Sequence, residues 1–564
     1  MNKEKWDSLE SSRKANMILQ RWQDLKLQRE PFLNHWQQVS KFVAPYSGRF
    51  NIHEHNQKRD QRFILDAHAT HALNILASGM MSGASSPARP WFKITPVDDE
   101  LLNDYQVTTW CDEVQKKLLK IFQQSNTYNS LHQLYRELAL FGTGVDIIYN
   151  DPINVIQHHL LSAGEYCVET NAVGDVDTMY RNFELTTVQA VKFFGYKNLP
   201  PEIQRAYDHG DLGVYWEFIH AIEPRIDRDY NANDNKNMPW GSYYIAVSSS
   251  ALIQESGFEY FPCVVPRWDI MGIDAYGVSP SMQHLPDIKQ LQQETLRKAE
   301  LIEIYTKPPI QVPSSARQNP ISLGAGAINF VQSTGADQSI KPIVQSVGDL
   351  NAIRQDIAEI KQSIDKAFFV DLFMMIQQTA GDRRTTVEIY ALQQEQMLAL
   401  GPVMERMQNE CLGRLVEIGY RKLLESNQLP EMPASLQGNP ITIEYTSVLA
   451  QSQKSVDINA VDRLVSALSA SAQIMPEVLD RIDPDGYVDE YRDRLGVAPK
   501  LLRSKEEADQ IRQQRAQAQQ MQQQQQEEMI AAQNDLTYQQ AQKTGAEASL
   551  AMQSLDALGG DSGL

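Results

Sequence analysis

Between Pro499 and Gly559 the chain has no proline and one glycine, Gly545, and ten of the sixteen residues from 511 to 526 are glutamine. Gln, Ala, Glu, Met and Arg are good helix formers, so this composition predicts a continuous helix of about 55 residues, a rod of order 80 Å. Its apolar positions (Leu501, Ile511, Met521, Ile530, Leu536 and Leu550) are too sparse to bury it on a globular core. Two outcomes are open. The segment is a low-complexity disordered tail, or it is a rod that orders beside copies of itself, pairing glutamine amides laterally and burying small alanine faces.

A second helical region raises the same question. Leu285, Ile288, Leu291, Leu296, Ala299 and Ile302 place an apolar stripe on a helix ended by Lys307-Pro308-Pro309. After a loop rich in Pro and Gly, Leu350, Ile353, Ile357, Ile360 and Ile364 follow at steps of three, four, three and four. That 3.5-residue seam is narrower than the stripe of a globular helix. It fits either an ordinary two-helix hairpin on its own domain or rod-like helices packed against neighbouring copies.

The N-terminal half reads as α+β. Leu9, Ile18, Trp22, Leu25, Phe32, Trp36, Val39 and Phe42 fall near helical spacing, with Pro31 placed to open a second segment. Asp66 to about Ser78 is a further helix leading into a small-residue loop, and Trp110–Phe122 and Leu131–Phe141 are amphipathic. The period then changes. Val145–Tyr149, Val155–Leu160, Glu165–Glu169, Asp177–Leu185, Val214–Ile222, Tyr243–Val247 and Leu252–Glu255 are short and rich in β-branched and aromatic residues. This predicts an antiparallel sheet or small barrel. Downstream, Thr385 and Glu388 fit a capping box. The helix it opens is expected to break at Gly401-Pro402 and resume to Leu424. Ile441–Tyr445 is a strand, and Val456–Arg494 is helical.

The chain carries 52 Lys+Arg against 71 Asp+Glu, a formal charge of −19. General, tight nucleic-acid binding is therefore not expected, because phosphate neutralisation supplies most of that affinity. A polymer that slides past without sticking is still allowed, since like charge repels phosphates. The 564 residues suggest roughly three or four domains. Cys111, Cys167, Cys263 and Cys411 form no CxxC pair and suit a reducing cytosol. The hydrophilic start MNKEKWDSLE predicts no signal peptide, and no run reaches the ~18 apolar residues of a membrane span. Synthesis in the cytoplasm, with no membrane partner, is the expectation.

Catalytic signatures are thin. GxxxxGK[ST], HExxH and GxSxG are absent. Phe141-Gly142-Thr143-Gly144 and Gly324-Ala325-Gly326 lack the third glycine and the helix of a dinucleotide loop. His68 and His71, one turn apart with Asp66 nearby, are the best metal candidates, ahead of His53-Glu54-His55 and His158-His159. No third ligand is suggested by spacing. No catalytic residue, metal or cofactor is expected. Arg383 and Arg384 stand in a loop, where they fit either a solvated turn or contact with passing DNA.

Two stretches shift the balance. Leu76–Ile94 reads LASGMMSGASSPARPWFKI and Tyr276–Pro309 reads YGVSPSMQHLPDIKQLQQETLRKAELIEIYTKPP. Both resemble the head-to-tail connector (portal) family of short-tailed bacteriophages. There, Pro-x-Arg-Pro-Trp-Phe closes a small-residue loop, and Tyr-Gly-x-Ser-Pro opens a helix containing Leu-Pro-Asp-Ile-Lys. Phe141-Gly142-Thr143-Gly144, Thr385-Thr386-Val387-Glu388 and Leu400-Gly401-Pro402 are similar to the family in the same order. The likeness covers most of residues 10 to 445.

The resemblance implies a non-enzymatic subunit of a ring, usually of about twelve copies, at one capsid vertex of the virion. The ring surrounds a channel for double-stranded DNA and docks the terminase, then a tail adaptor, within major capsid and scaffolding proteins. Carried onto this chain, it implies a wing from residues 1–280 and 386–450. Stem helices would occupy 281–306 and 349–369, a clip 307–348, a tunnel loop 370–385 with Arg383 and Arg384 facing DNA, and a crown 451–500. A barrel helix and tail would span 501–564. Leu350, Ile353, Ile357, Ile360 and Ile364 would form the inter-subunit seam of the stem. The alternatives are a coiled-coil scaffolding or internal virion protein without a channel, and a metal-dependent hydrolase.

Overall fold

The computed structural model describes residues 3–53, 60–98, 101–102, 104–232, 234–307, 310–311, 341–342, 349–377, 400–446, 486 and 505–558. It divides into two compact units, Met1–Gln453 and Lys454–Leu564.

In the first unit, helix α1 (Lys3–Val43) is 41 residues long and runs through Pro31 without a break. This corrects the expected two segments. A proline inside a helix costs about 3 kcal/mol, and apolar anchors on both sides offset it. Ala15, Ile18, Trp22 and Leu25 lie in one core, whereas Trp36, Val39 and Val43 lie in another. Helices α2 (His68–Ala84), α3 (Tyr105–Gln124) and α4 (Thr127–Phe141) follow around strand β1 (Phe92–Pro96). The helix expected to end near Ser78 runs on to Ala84, so Gly79–Ala84, expected in a loop, belong to α2, with Ala77, Gly79, Met80, Gly83 and Ala84 buried. Their lack of bulk lets neighbouring elements approach, and Trp91 and Phe92 enter the core at the start of β1.

The strands fall almost where the alternation predicts. Strands β2 (Val145–Asp151) and β3 (Val155–Leu161) pair antiparallel, and β9 (Cys263–Val264) adds on the other side of β2. Strands β4 (Tyr166–Thr170), β5 (Val176–Thr186), β6 (Tyr215–Pro224), β7 (Trp240–Ala246) and β8 (Ala251–Phe258) form an antiparallel meander in chain order. Successive side chains alternate between faces. Tyr180, Ile219, Ala221, Tyr243 and Ile245 meet α1 on one face. Phe183, Phe218, Tyr244 and Ala246 meet α5 (Thr187–Phe194) and α6 (Pro201–Asp208) on the other. Helix α5 opens with a capping box between Thr186 and Gln189.

A one-turn helix, α7 (Pro280–Gln283), leads into α8 (Leu285–Thr306). Strands β10 (Ile310–Gln311) and β11 (Lys341–Pro342) pair antiparallel, and α9 (Leu350–Ala367) returns along α8. Ser363, near the end of α9, donates to Asp287, near the start of α8, at 3.0 Å. Helix α10 (Val370–Gln377) follows. Residues 400–407 (α11) are helical and include Gly401 and Pro402, and the helix expected before that pair lies outside the described residues. A π-helical turn, Gln408–Gly413, follows before α12 (Arg414–Glu425). Strand β12 (Ile441–Tyr445) pairs antiparallel with β1, Ile443 opposite Ile94, closing the unit across nearly its whole length.

In the second unit, α13 (Lys505–Leu558) is an uninterrupted helix of 54 residues, about 80 Å long. Its apolar residues Met521, Met529, Ile530, Leu536 and Leu550 are all exposed. The capping box at Thr385 and Glu388, and the helix Val456–Arg494 apart from residue 486, lie outside the described residues.

Candidate functional site at the root of the helical hairpin

Two of the sequence stretches that carry the resemblance, Phe141–Gly144 and the one that opens at Tyr276, meet at the end of α4 against the root of α7 and α8. A helix leaves its last four carbonyls without intrahelical donors unless capping groups supply them. Here all four are accounted for. The Gly142 amide donates to Leu138 O at 2.9 Å, the Ser281 hydroxyl to Ala139 O at 2.8 Å, the Ser279 hydroxyl to Leu140 O at 2.7 Å, and Trp36 Nε1 to Phe141 O at 2.8 Å. Ser279 also accepts from the Met282 amide and so caps α7.

Gly142 ends α4 with φ +75°, and a Cβ there would stand 2.3 Å from Gly277 O. A Cβ on Gly277 would stand 2.3 Å from Gly142 O. Only two glycines allow this backbone crossing. Thr143 Oγ1 accepts from the Gly277 amide at 2.8 Å, and Gly142 O accepts from the Trp268 amide at 2.8 Å. Tyr166 donates to Thr143 O, while the Tyr276 hydroxyl accepts from the Val168 amide at 3.1 Å. Phe141-Gly-Thr-Gly is thus the other half of a joint with Tyr276-Gly-Val-Ser-Pro. It is not a nucleotide loop.

Charged groups bolt the same joint. Arg267 is 3% exposed. Its guanidinium grips Glu410 of the π turn at 2.6 and 3.2 Å and donates to the carbonyls of Asp274 and Gly174, while its amide donates to Glu410 at 2.9 Å. Arg29 of α1 donates to Gly164 O and Tyr166 O. Glu137 of α4 accepts from Ser162 Oγ and the Ala163 amide. Burial, opposed by those two donors and reinforced by nearby Glu165, pushes its carboxyl up to about 7. Sequence reasoning missed Arg267 and Glu410, because the partners lie 143 residues apart with no local signal.

At the hairpin root, Gln292 is buried. Its Oε1 accepts from the Leu65 and Asp66 amides at 2.7 and 2.9 Å, and its Nε2 donates to Asp66 O. Asp66 pairs with Lys361 at 2.7 Å and His68 with Asp365 at 2.8 Å. The metal candidates Asp66 and His68 are therefore engaged with α9, while His71 is exposed on α2. His158 sits between Asp146 and Thr127 at 2.6 and 2.9 Å, and His53 meets Glu184 at 2.7 Å. Among the described residues no group of three or more His, Cys, Asp or Glu could hold a metal ion.

The residues expected to form the inter-subunit seam are mostly covered within a single copy. Ile364 is fully buried, Ile357 and Ile360 are each 8% exposed, and Ile353 is half-buried, all in the core of their own chain; Leu350 is half-buried. The 3.5-residue stripe is narrow because α9 packs chiefly on α8, with α2 and α10 beside it, and its other faces are exposed or half-buried. On α8, Leu285, Ile288 and Leu291 are likewise buried, but Leu296, Ile302 and Tyr305 are 46%, 39% and 51% exposed. Arg383 and Arg384 lie outside the described residues.

Comparison with known proteins decides what this joint belongs to. The family model for bacteriophage head to tail connecting protein matches residues 15–502. The chain belongs to that family. This connector is 40% identical over 503 residues to the probable portal protein of Bordetella phage BPP-1, covering 89% of this chain and 91% of that one. It is 35% identical over 535 residues to the portal protein of Salmonella phage epsilon15, covering 94% and 96%. It is 22% identical over 479 residues to the portal protein of Escherichia phage T7, covering 82% and 83%. Among solved structures, it is similar to a chain in the neck of an empty gene transfer agent particle, with TM-score 0.37, 12% identity, and 82% and 100% coverage. The connector's function is that of a phage portal protein, and its Phe141–Gly144 and Tyr276–Pro280 stretches form the joint at the hairpin root. No helix among the described residues is long and apolar enough to cross a membrane.

Proposed function

We propose that the connector assembles into a ring around a channel for double-stranded DNA at one vertex of the virion, with the α8–α9 hairpin as its stem. The observation that supports this is where apolar surface remains in a single copy. The root of the hairpin is buried against its own chain, whereas the outer half of α8 exposes Leu296, Ile302 and Tyr305. In a ring the outer half of each hairpin faces its neighbours. Helix α13, exposed from residue 512 to 550, gains lateral contacts there from other copies, as a barrel.

In this reading the sheet region, with residues 386–450, is the wing, 307–348 the clip, 370–385 the tunnel loop and 451–500 the crown. Arg383 and Arg384 are assigned to the tunnel loop and touch passing DNA. The net charge of −19 keeps the rest of the wall from holding phosphates. The work is mechanical: the ring holds a pore open, docks the terminase and then the tail adaptor, and sits among major capsid and scaffolding proteins. The assembly holds about twelve copies and uses no cofactor or catalytic residue. Electron microscopy of the purified chain tests the reading: closed rings with a central hole are expected, and monodisperse protomers at high concentration would overturn it.

A further inference from the structure

The link between α9 and α10 has the wrong residue for its conformation. Helix α9 ends at Ala367, and two residues later Phe369 sits at φ +53° before α10 begins. A left-handed residue just past a helix end is ordinarily glycine. A side chain there disfavours the conformation by about tenfold. What holds Phe369 in place is the seating of α10. Phe368 and Leu372 are fully buried and Phe373 is 1% exposed. The Phe373 ring fills a socket on α2 that exists because residue 79 is glycine: a Cβ on Gly79 would lie 2.2 Å from the ring.

Helix α9 touches α10 but has its own anchors on α8 and α2. Ile357, Ile360 and Ile364 are buried, and Lys361 and Asp365 pair with Asp66 and His68 beside and on α2.

We propose that α10 is a separately opening lever, docked on α2 by Phe373 and biased toward release by the left-handed Phe369, while α9 stays in place. The Gly79 of LASGMMSGA is then a socket rather than a loop residue. The proposal stands on the single chain and does not depend on the ring.

Hydrogen exchange followed by mass spectrometry on the full chain tests it. In the wild type, amides of 370–377 are expected to exchange through a local opening, at least a hundredfold faster than those of 357–367. Gly79→Ala should accelerate 370–377 by about tenfold more and leave 357–367 and strands β5–β7 unchanged. Phe373→Ala, which empties the socket without a clash, should do the same and covers the case in which Gly79→Ala does not fold. Phe369→Gly and Phe369→Ala both remove the ring, but only glycine relieves the backbone. Exchange of 370–377 should therefore be about tenfold slower in the glycine variant. Equal protection of α9 and α10 in the wild type, loss of both together on Phe373→Ala, or equal rates in the two Phe369 variants would overturn the lever.

Discussion

Gly142 and Gly277 illustrate what a residue can and cannot reveal about itself. Each glycine signals a turn or a close approach, but the approach partner of each is the other, 135 positions away, and the carbonyl meeting the missing Cβ is visible only in three dimensions. Glu137 is a similar case with a measurable consequence. Its carboxyl is held near 7 in the folded chain against an ordinary 4.5, chiefly by burial. Between those values the folded state binds a proton that the unfolded state has released. Stability from this group is therefore fully present below about pH 4.5, is lost as pH rises through about 7, and is flat above. Urea unfolding at pH 5 and pH 8 should show the wild type losing up to about 3 kcal/mol relative to Glu137→Gln over that span. An identical pH dependence in the two proteins would show that Glu137 ionises normally.

At the scale of elements, the two hairpin helices separate two readings that periodicity left open. On α9 the stripe faces inward, and on α8 the inner half does too, but the outer half faces out. Leu296→Ser with Ile302→Ser should leave the protomer's unfolding midpoint within the small range of surface changes, about 0.5 kcal/mol, yet abolish rings in light scattering and microscopy. Ile360→Asp should behave differently, destabilising the protomer by about 3 kcal/mol or more through a buried unpaired charge. If the serine pair still forms rings, the outer face of α8 is not the contact. The run from Gly79 to Ala84 reads as a loop in the sequence because Gly and Ser are taken as breakers, yet it continues α2. The fold instead uses their missing volume to admit Phe373 on one side of α2. Pro31 misled in the same way, since the anchors that keep α1 continuous lie in two different cores.

At the scale of the whole molecule, Met1–Gln453 and Lys454–Leu564 are separate compact units. The first buries its own core, and α13 in the second is exposed from residue 512 to 550. A chain ending at Pro499 should therefore fold with the thermal midpoint of the full chain and still close into rings, while packaging or ejection in an infection assay changes. A truncated chain that aggregates would make the glutamine-rich segment part of the core.

The sequence by itself determined nearly every strand of the meander, the helices of the hairpin, the helical C-terminal rod and the family, because alternation, 3.6-residue spacing and helix propensity are local and the motifs are contiguous. Tertiary structure alone decided that the isoleucine stripe of α9 is covered by its own chain, that β1 pairs with β12, that Arg267 grips Glu410, and that Gly79 holds a phenylalanine. A periodic pattern says only that one face is apolar. What covers that face, and which distant residue completes a buried ion pair or fills a missing side chain's space, is settled by packing between segments hundreds of residues apart.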